Sequence, residues 1–168
     1  MNVKYGYALP TQKIELTEAA HPIPDQQGLG GARRIAELLD EAGSDDLVLC
    51  LISGGGSALM TLPVEGVTLD DVRRVTYMMQ IERGVPTGEL NPVRNHLDQM
   101  KGGKFSRALR PARLVHLLAW GPHTFDLLVH KNVWLHSLPD RSTFSEAVEN
   151  LKKWGAWEEA PTSVREFL

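Results

Sequence analysis

Leu47-Val48-Leu49-Cys50-Leu51-Ile52 runs without a break into Ser53-Gly54-Gly55-Gly56-Ser57. The apolar run is short and carries branched side chains, which predicts a strand covered on both faces, as in a parallel sheet. The glycine loop then falls at the C-terminal end of that strand, where open parallel sheets bind their ligands. Three successive glycines let backbone come close to a ligand, and Ser53 and Ser57 add hydroxyl donors. Such a loop suits a phosphate or a carboxylate; the alternative is a plain connecting turn. No Lys follows the last glycine, so this is not a Walker A loop, and the Gly-x-Ser-x-Gly spacing of a nucleophile elbow is missing.

Working outward, Leu29, Ala32, Ile35, Ala36, Leu39 and Ala42 fall on one helical face upstream of the strand, and Gly43 closes that helix. Before it, Lys13 to Thr17 alternates in the manner of a short strand, and the prolines of His21-Pro22-Ile23-Pro24-Asp25 forbid a helix there. Downstream, Thr68 caps a helix with Asp70 and Asp71 in its first turn and Val72, Val75, Met78 and Met79 on its apolar face. Gly84 and Pro86 end it. A second helical pattern runs from about Gly88 to Met100, and Ala112 to Leu118 reads as a third strand. Thr143-x-x-Glu146 and Ser163-x-x-Glu166 are capping boxes. Alternating strands and helices predict βαβ units with right-handed crossovers, and so an α/β domain of three-layer, Rossmann-like type with a mainly parallel sheet. The last capping box stands at the end of the sequence, so residues 1–168 read as part of a larger domain.

The chain has 168 residues, enough for one domain with a true core, and its 42% hydrophobic and 23% charged content is that of an ordinary soluble protein. A net charge of −3 gives no bulk case for nucleic acid; Arg107, Arg110 and Arg113 lack interleaved aromatics and read as surface. One cysteine, Cys50, excludes an internal disulfide and fits a reducing, cytoplasmic setting. No apolar run approaches the ~20 residues of a membrane helix, and the start lacks a signal-peptide core. The six histidines and one cysteine show no zinc-ligand spacing, and no metal ligands are assigned.

Several polar residues are candidates beside the loop. Asp25 is either a ligand contact or the N-cap of the following helix, and as sequence alone the cap is favoured. Asn91-Pro92-Val93-Arg94-Asn95-His96 and Lys101-Gly102-Gly103 are polar and basic. Arg94 and Lys101 either hold an anionic substrate or belong to a solvated helix face.

Taken together, these stretches resemble the type 2 glycerate kinase family. The resemblance is carried by Val3-Lys4-Tyr5-Gly6, Glu18 through Asp25, Leu49 through Leu59, Asn91 through Leu97, Lys101-Gly102-Gly103, Pro139-Asp140 and Ser142-Thr143-Phe144. It implies ATP-dependent phosphorylation of D-glycerate to 2-phosphoglycerate with Mg²⁺, in a two-domain α/β enzyme with its site between the domains. The carry-over makes Arg94 and Lys101 the charge-neutralising catalytic residues. Ser53, Gly54, Gly55, Gly56 and Ser57, with His21, Asp25, Asn91 and His96, would bind substrate or phosphate. The implied partners are glycerate and ATP, and a homo-oligomer is compatible with the resemblance.

The sequence departs from the family in four places. A functional Lys precedes the matched region in the family and has no counterpart here, and the smaller C-terminal domain is likewise without one. The family's usual Lys after the arginine is Asn95. Across Trp120 to Leu138 the family carries an Asp- and Gly-rich loop, where this chain has apolar Leu127-Leu128-Val129 and Val133-Trp134-Leu135. Compensating reading-frame shifts or true divergence would each give that pattern, and the segment is expected to be the least family-like and least ordered. A non-catalytic remnant that binds a small anion without turnover is the alternative function.

Overall fold

The computed structural model describes residues 1–119 and 138–168. The expectations for Trp120 to Ser137 lie outside the described residues. Among the described residues, two parallel strand pairs form the sheet elements. Strand β1 (Asn2–Lys4) pairs with β2 (Thr17–Ala19), Asn2 opposite Thr17. Strand β3 (Leu47–Ser53) pairs with β4 (Arg113–Ala119), from Leu47 opposite Arg113 to Ser53 opposite Ala119. Between β2 and β3 lies helix α1 (Gln26–Glu41).

The long crossover from β3 to β4 holds α2 (Gly56–Leu59), α3 (Leu69–Thr76), a wider π-helical continuation over Tyr77–Glu82, α4 (Thr87–His96) and α5 (Lys104–Ala108). Two helices close the chain, α6 (Phe144–Lys153) and α7 (Thr162–Phe167). The parallel, mixed α/β class is as expected. Among the described residues no helix is long and apolar enough to cross a membrane.

Local chemistry explains most boundaries. Thr68 and Asp71 form a reciprocal capping box, each side chain taking the other's backbone N–H, and satisfy donors that α3 would otherwise leave bare. Thr143 accepts from the Glu146 N–H at the start of α6. Helix α4 stops at His96, short of the predicted Met100, because Asp98 turns inward and its carboxylate takes the Leu62 and Met100 N–H groups. Three expectations are corrected. The first strand pair uses Thr17–Ala19, not Lys13–Thr17; parallel pairing with β1 selects that register, and Ile14 is left exposed. The final capping box does not form, since α7 begins two residues earlier, with Pro161 at its N-cap, and Ser163 donates to Asp71.

The third correction concerns β3. Its apolar run is half covered, not doubly covered: Leu47, Leu49 and Leu51 are 60%, 56% and 64% exposed. On β4, Val115 and Leu117 continue the bare face. The opposite face packs under α1 and α5, where Leu39, Met100, Phe105 and Leu109 gather Ile35, Val48, Cys50 and Leu114 into one core. A larger core joins Val72, Val75, Met78, Met79, Leu90, Val93, Leu151 and Val164 from α3, its π-helical continuation, α4, α6 and α7. Among the described residues, one face of β3 and β4 is therefore covered by helices and the other stands largely bare.

Candidate functional site

The glycine loop leaves β3 at Ser53, and its shape is set by Gly55, whose φ of +90° lies in the left-handed region that L side chains rarely adopt. A Cβ on Gly55 would sit 3.1 Å from Nε2 of His21, so the loop backbone lies directly against that imidazole. His21 follows β2 and precedes a cis bond to Pro22. Gly54 has nothing within 4 Å of its Cβ position, so that side of the loop is open.

An imidazole and a guanidinium approach the loop from separate elements. Burial, then the charges of Lys4 and Arg94, hold the His21 imidazole below its ordinary pKa, which places both cations within electrostatic reach of it. Arg94, on α4, is largely desolvated, and burial pulls its guanidinium down to about 10. Its Nη2 donates to Gln80 Oε1 at 2.5 Å, which aims the side chain from below. Arg94 and Ser57 line one small void of about 10 Å³, room for a single water. A polar corner built from the β2–α1 turn and α4 thus borders an open, glycine-lined backbone.

The predicted residues divide. Ser53, Gly54, Gly55, Gly56, Ser57, His21 and Arg94 are brought together. Lys101 borders the same void but is 2% exposed and already engaged. Its ammonium donates to Asp98 Oδ2 at 2.5 Å, to Met60 O at 3.0 Å and to Thr61 Oγ1 at 3.3 Å. Burial lowers its pKa and the Asp98 carboxylate opposes that shift. In this arrangement Lys101 is a strut under the loop and not a free cation.

Asp25 is the N-cap of α1, accepting from the Gly28 N–H at 2.9 Å and from the Tyr5 hydroxyl at 2.7 Å. Burial pushes its carboxyl up, and these hydrogen bonds more than offset that, leaving it below the ordinary range. Asn91 is fully buried in α4. His96 joins a different group, stacked on Phe144 at 4.3 Å with Ser142 Oγ 3.5 Å from its Nε2. Ser142 itself donates to Asp140, and Lys104 caps the end of α4 through the Asn95 and Asp98 carbonyls.

Sequence reasoning missed Lys4 and Gln80 as neighbours of the site. Lys4 carries no local signal. Gln80 faces Arg94 only because the helix widens to π spacing after Thr76, and nothing in the apolar periodicity announces that change. Among the described residues no group of three or more His, Cys, Asp or Glu could hold a metal ion.

Residues 1–120 match the family described as a domain of unknown function, DUF4147. The D-glycerate 2-kinase of Thermotoga maritima is 38% identical over 155 residues, spanning 90% of this chain and 36% of that protein. The glycerate 2-kinase of Pyrococcus horikoshii is 36% identical over 165 residues, spanning 96% of this chain and 36% of that protein. The crystal structure of a glycerate kinase from Thermotoga maritima superposes with a TM-score of 0.81 at 36% identity, covering 99% of this chain and 39% of the other. This chain therefore spans little more than a third of the length of these relatives.

Proposed function

We infer, since this chain belongs to the DUF4147 family and is homologous to glycerate 2-kinases, that it grips the acid end of D-glycerate in an ATP-dependent phosphorylation to 2-phosphoglycerate. The observation that carries this reading is the convergence of Arg94 and His21 on the open loop Ser53 to Ser57. Phosphoryl transfer demands little covalent work from the protein and depends on positioning and charge neutralisation. Loop N–H groups and the Ser53 and Ser57 hydroxyls would hold a carboxylate or phosphate, and Arg94, pre-aimed by Gln80, would neutralise it. His21 is held neutral, so it serves as a hydrogen-bond partner whose tautomer orients the substrate.

Lys101 acts one step back: its bonds to Met60 O and Thr61 Oγ1 fix the chain just beyond the loop. Asn91 and His96 remain proposed positioning residues on α4. ATP is the phosphoryl donor of this reading. The described residues do not form a protein cage for Mg²⁺, and magnesium is characteristically carried on nucleotide phosphates with few protein ligands. A cytoplasmic setting belongs to the same reading, supported by the free thiol of Cys50.

The chain alone is expected to bind without turnover, because a kinase must hold donor and acceptor together and a misplacement of ~1 Å can cost on the order of a hundredfold. Calorimetric titration of the 168-residue chain with D-glycerate, 2-phosphoglycerate and inorganic phosphate tests both parts. Gly55→Asp and Arg94→Ala are each expected to weaken anion binding at least about tenfold. Unchanged binding in both variants sinks the assignment of the loop. ATP-dependent formation of 2-phosphoglycerate by the purified chain refutes the expectation of no turnover.

A further inference from the structure

Helix α1 carries Gly28, Gly30 and Gly31 in its first two turns, although glycine inside a helix weakens it relative to alanine. Gly31 is buried, and a Cβ there would overlap Oδ1 of Asn2 and lie 2.6 Å from its Nδ2 and 2.7 Å from its Cγ. Asn2, on β1, thus lays its amide against the bare backbone of α1. From that seat its Nδ2 donates to Leu59 O at 2.7 Å, across 57 residues of sequence. Leu59 is the last residue of α2, whose single turn follows Gly55 directly. Carbonyls at the end of a helix have no partner within it, so this end of α2 depends on donors from outside. Among the described residues two side chains supply them. Asn2 takes Leu59 O, and Lys101 takes the next carbonyl, Met60 O, at 3.0 Å. Gly28 adds to the same seat, its Cβ position lying 3.5 Å from Leu59 O.

We propose that Asn2 is a positioning residue for the glycine loop, and that residue 31 is glycine because only bare backbone admits the Asn2 amide. The amide fixes Leu59 O, Leu59 fixes the one turn of α2, and α2 fixes how the N–H groups of Gly54, Gly55 and Gly56 are presented. A loop already held in its binding conformation loses less freedom when an anion arrives, and so binds it more tightly. The two donors differ in kind. Lys101 is buried and tied to Asp98, so its removal strands a charge, whereas Asn2 is half-buried and neutral. The backbone of Asn2 is held by its pairing with Thr17, so the side chain can be cut back while β1 stays in place. This role rests on the proposed anion grip for its effect on affinity, but its effect on loop geometry is independent of that reading.

The test is a mutant cycle on the full, isotope-labelled chain: Asn2→Ala, Gly31→Ala and the double variant. Gly30→Ala is the control, on the same helix with nothing within 4 Å of its Cβ position. The amide resonances of Gly54, Gly55 and Gly56 report the loop, calorimetric titration with inorganic phosphate reports the grip, and thermal unfolding reports the fold. Asn2→Ala and Gly31→Ala are each expected to move those resonances and to weaken phosphate binding about fivefold. The double variant is expected to be no weaker than Asn2→Ala, because an amide that is absent cannot be displaced. Gly30→Ala is expected to leave both the resonances and the affinity unchanged. A merely structural role would lower the thermal midpoint and leave loop and affinity alone. The proposal is overturned if folded Asn2→Ala leaves the three resonances in place, or if the effects of the single variants add in the double. If the parent chain binds no phosphate, the anion reading falls and the resonances alone decide this role. If Gly31→Ala does not fold, Asn2→Ala against Gly30→Ala decides it.

Discussion

Lys101 and Asp98 are each almost wholly inaccessible to solvent, and they form a buried ion pair at 2.5 Å. Removing one partner of such a pair strands a charge in low dielectric, while replacing both is far milder. Lys101→Ala is therefore expected to destabilise the fold by about 3–5 kcal/mol, and Lys101→Met with Asp98→Asn by clearly less, as read by urea unfolding. Anion binding by the double variant, measured where it is folded, then separates the strut from the loop it supports. Histidine titration supplies a second residue-scale expectation. His21, His96 and His116 all have folded pKa values below the ordinary 6.5, burial being the leading cause in each. The unfolded chain thus binds protons that the folded chain refuses, so stability rises with pH through the window below 6.5 and is lost as pH falls. A urea midpoint lower at about pH 5.5 than at about pH 7.5 is the expected result, and a midpoint that rises on acidification would contradict it. The glycine loop was legible as a turn beyond a strand, because Gly-Gly-Gly cannot continue one, whereas the burial of Arg94 was not, since it depends on how α4 packs. Lys101 was legible as important but not as buried, since its partner Asp98 is disclosed only by the inward turn at the end of α4.

At the scale of elements, the caps were the most readable feature. Thr143→Ala is expected to cost about 1 kcal/mol, because the Glu146 N–H loses its acceptor, with Thr143→Ser close to neutral; thermal unfolding of the pair checks this. Strand β3 was readable as an element for the same reason that its surroundings were not. A run of branched aliphatic residues specifies extended backbone, but coverage of its faces depends on chain far away in sequence. The shift from Lys13–Thr17 to Thr17–Ala19 has the same origin. Alternation marks a segment able to be a strand, and only the partner edge of β1 selects which three residues pair. The final Ser163-x-x-Glu166 failed as a box because Asp71, from a distant helix, competes for the serine hydroxyl.

The whole molecule has an uneven distribution of cohesion. Its helical side encloses fully buried Met78, Met79, Val93, Leu151 and Val164, whereas Leu49, Leu51 and Leu117 on the sheet side stand more than half exposed. Bare aliphatic strands of that kind favour self-association. Leu49→Lys combined with Leu117→Glu, a cross-strand diagonal on the bare face, is expected to reduce concentration-dependent association in light scattering without lowering the thermal midpoint by more than about 1 kcal/mol in equivalent stability. The α/β class was legible from the alternation of elements, but the bare face of β3 and β4 was not, because coverage of a face depends on chain distant in sequence. One thiol, Cys50, sits on the β3 wall of the gap between the strand pairs, with its pKa raised by burial to about 11. At neutral pH it is almost entirely the unreactive thiol, so alkylation by iodoacetamide should be slow and should quicken with alkalinity. Because it is the chain's sole cysteine, every alkylated molecule gains one tag at one address. The protein thereby comes with a native chemical clock, legible by mass spectrometry, for solvent access to the cavity wall on which that thiol stands.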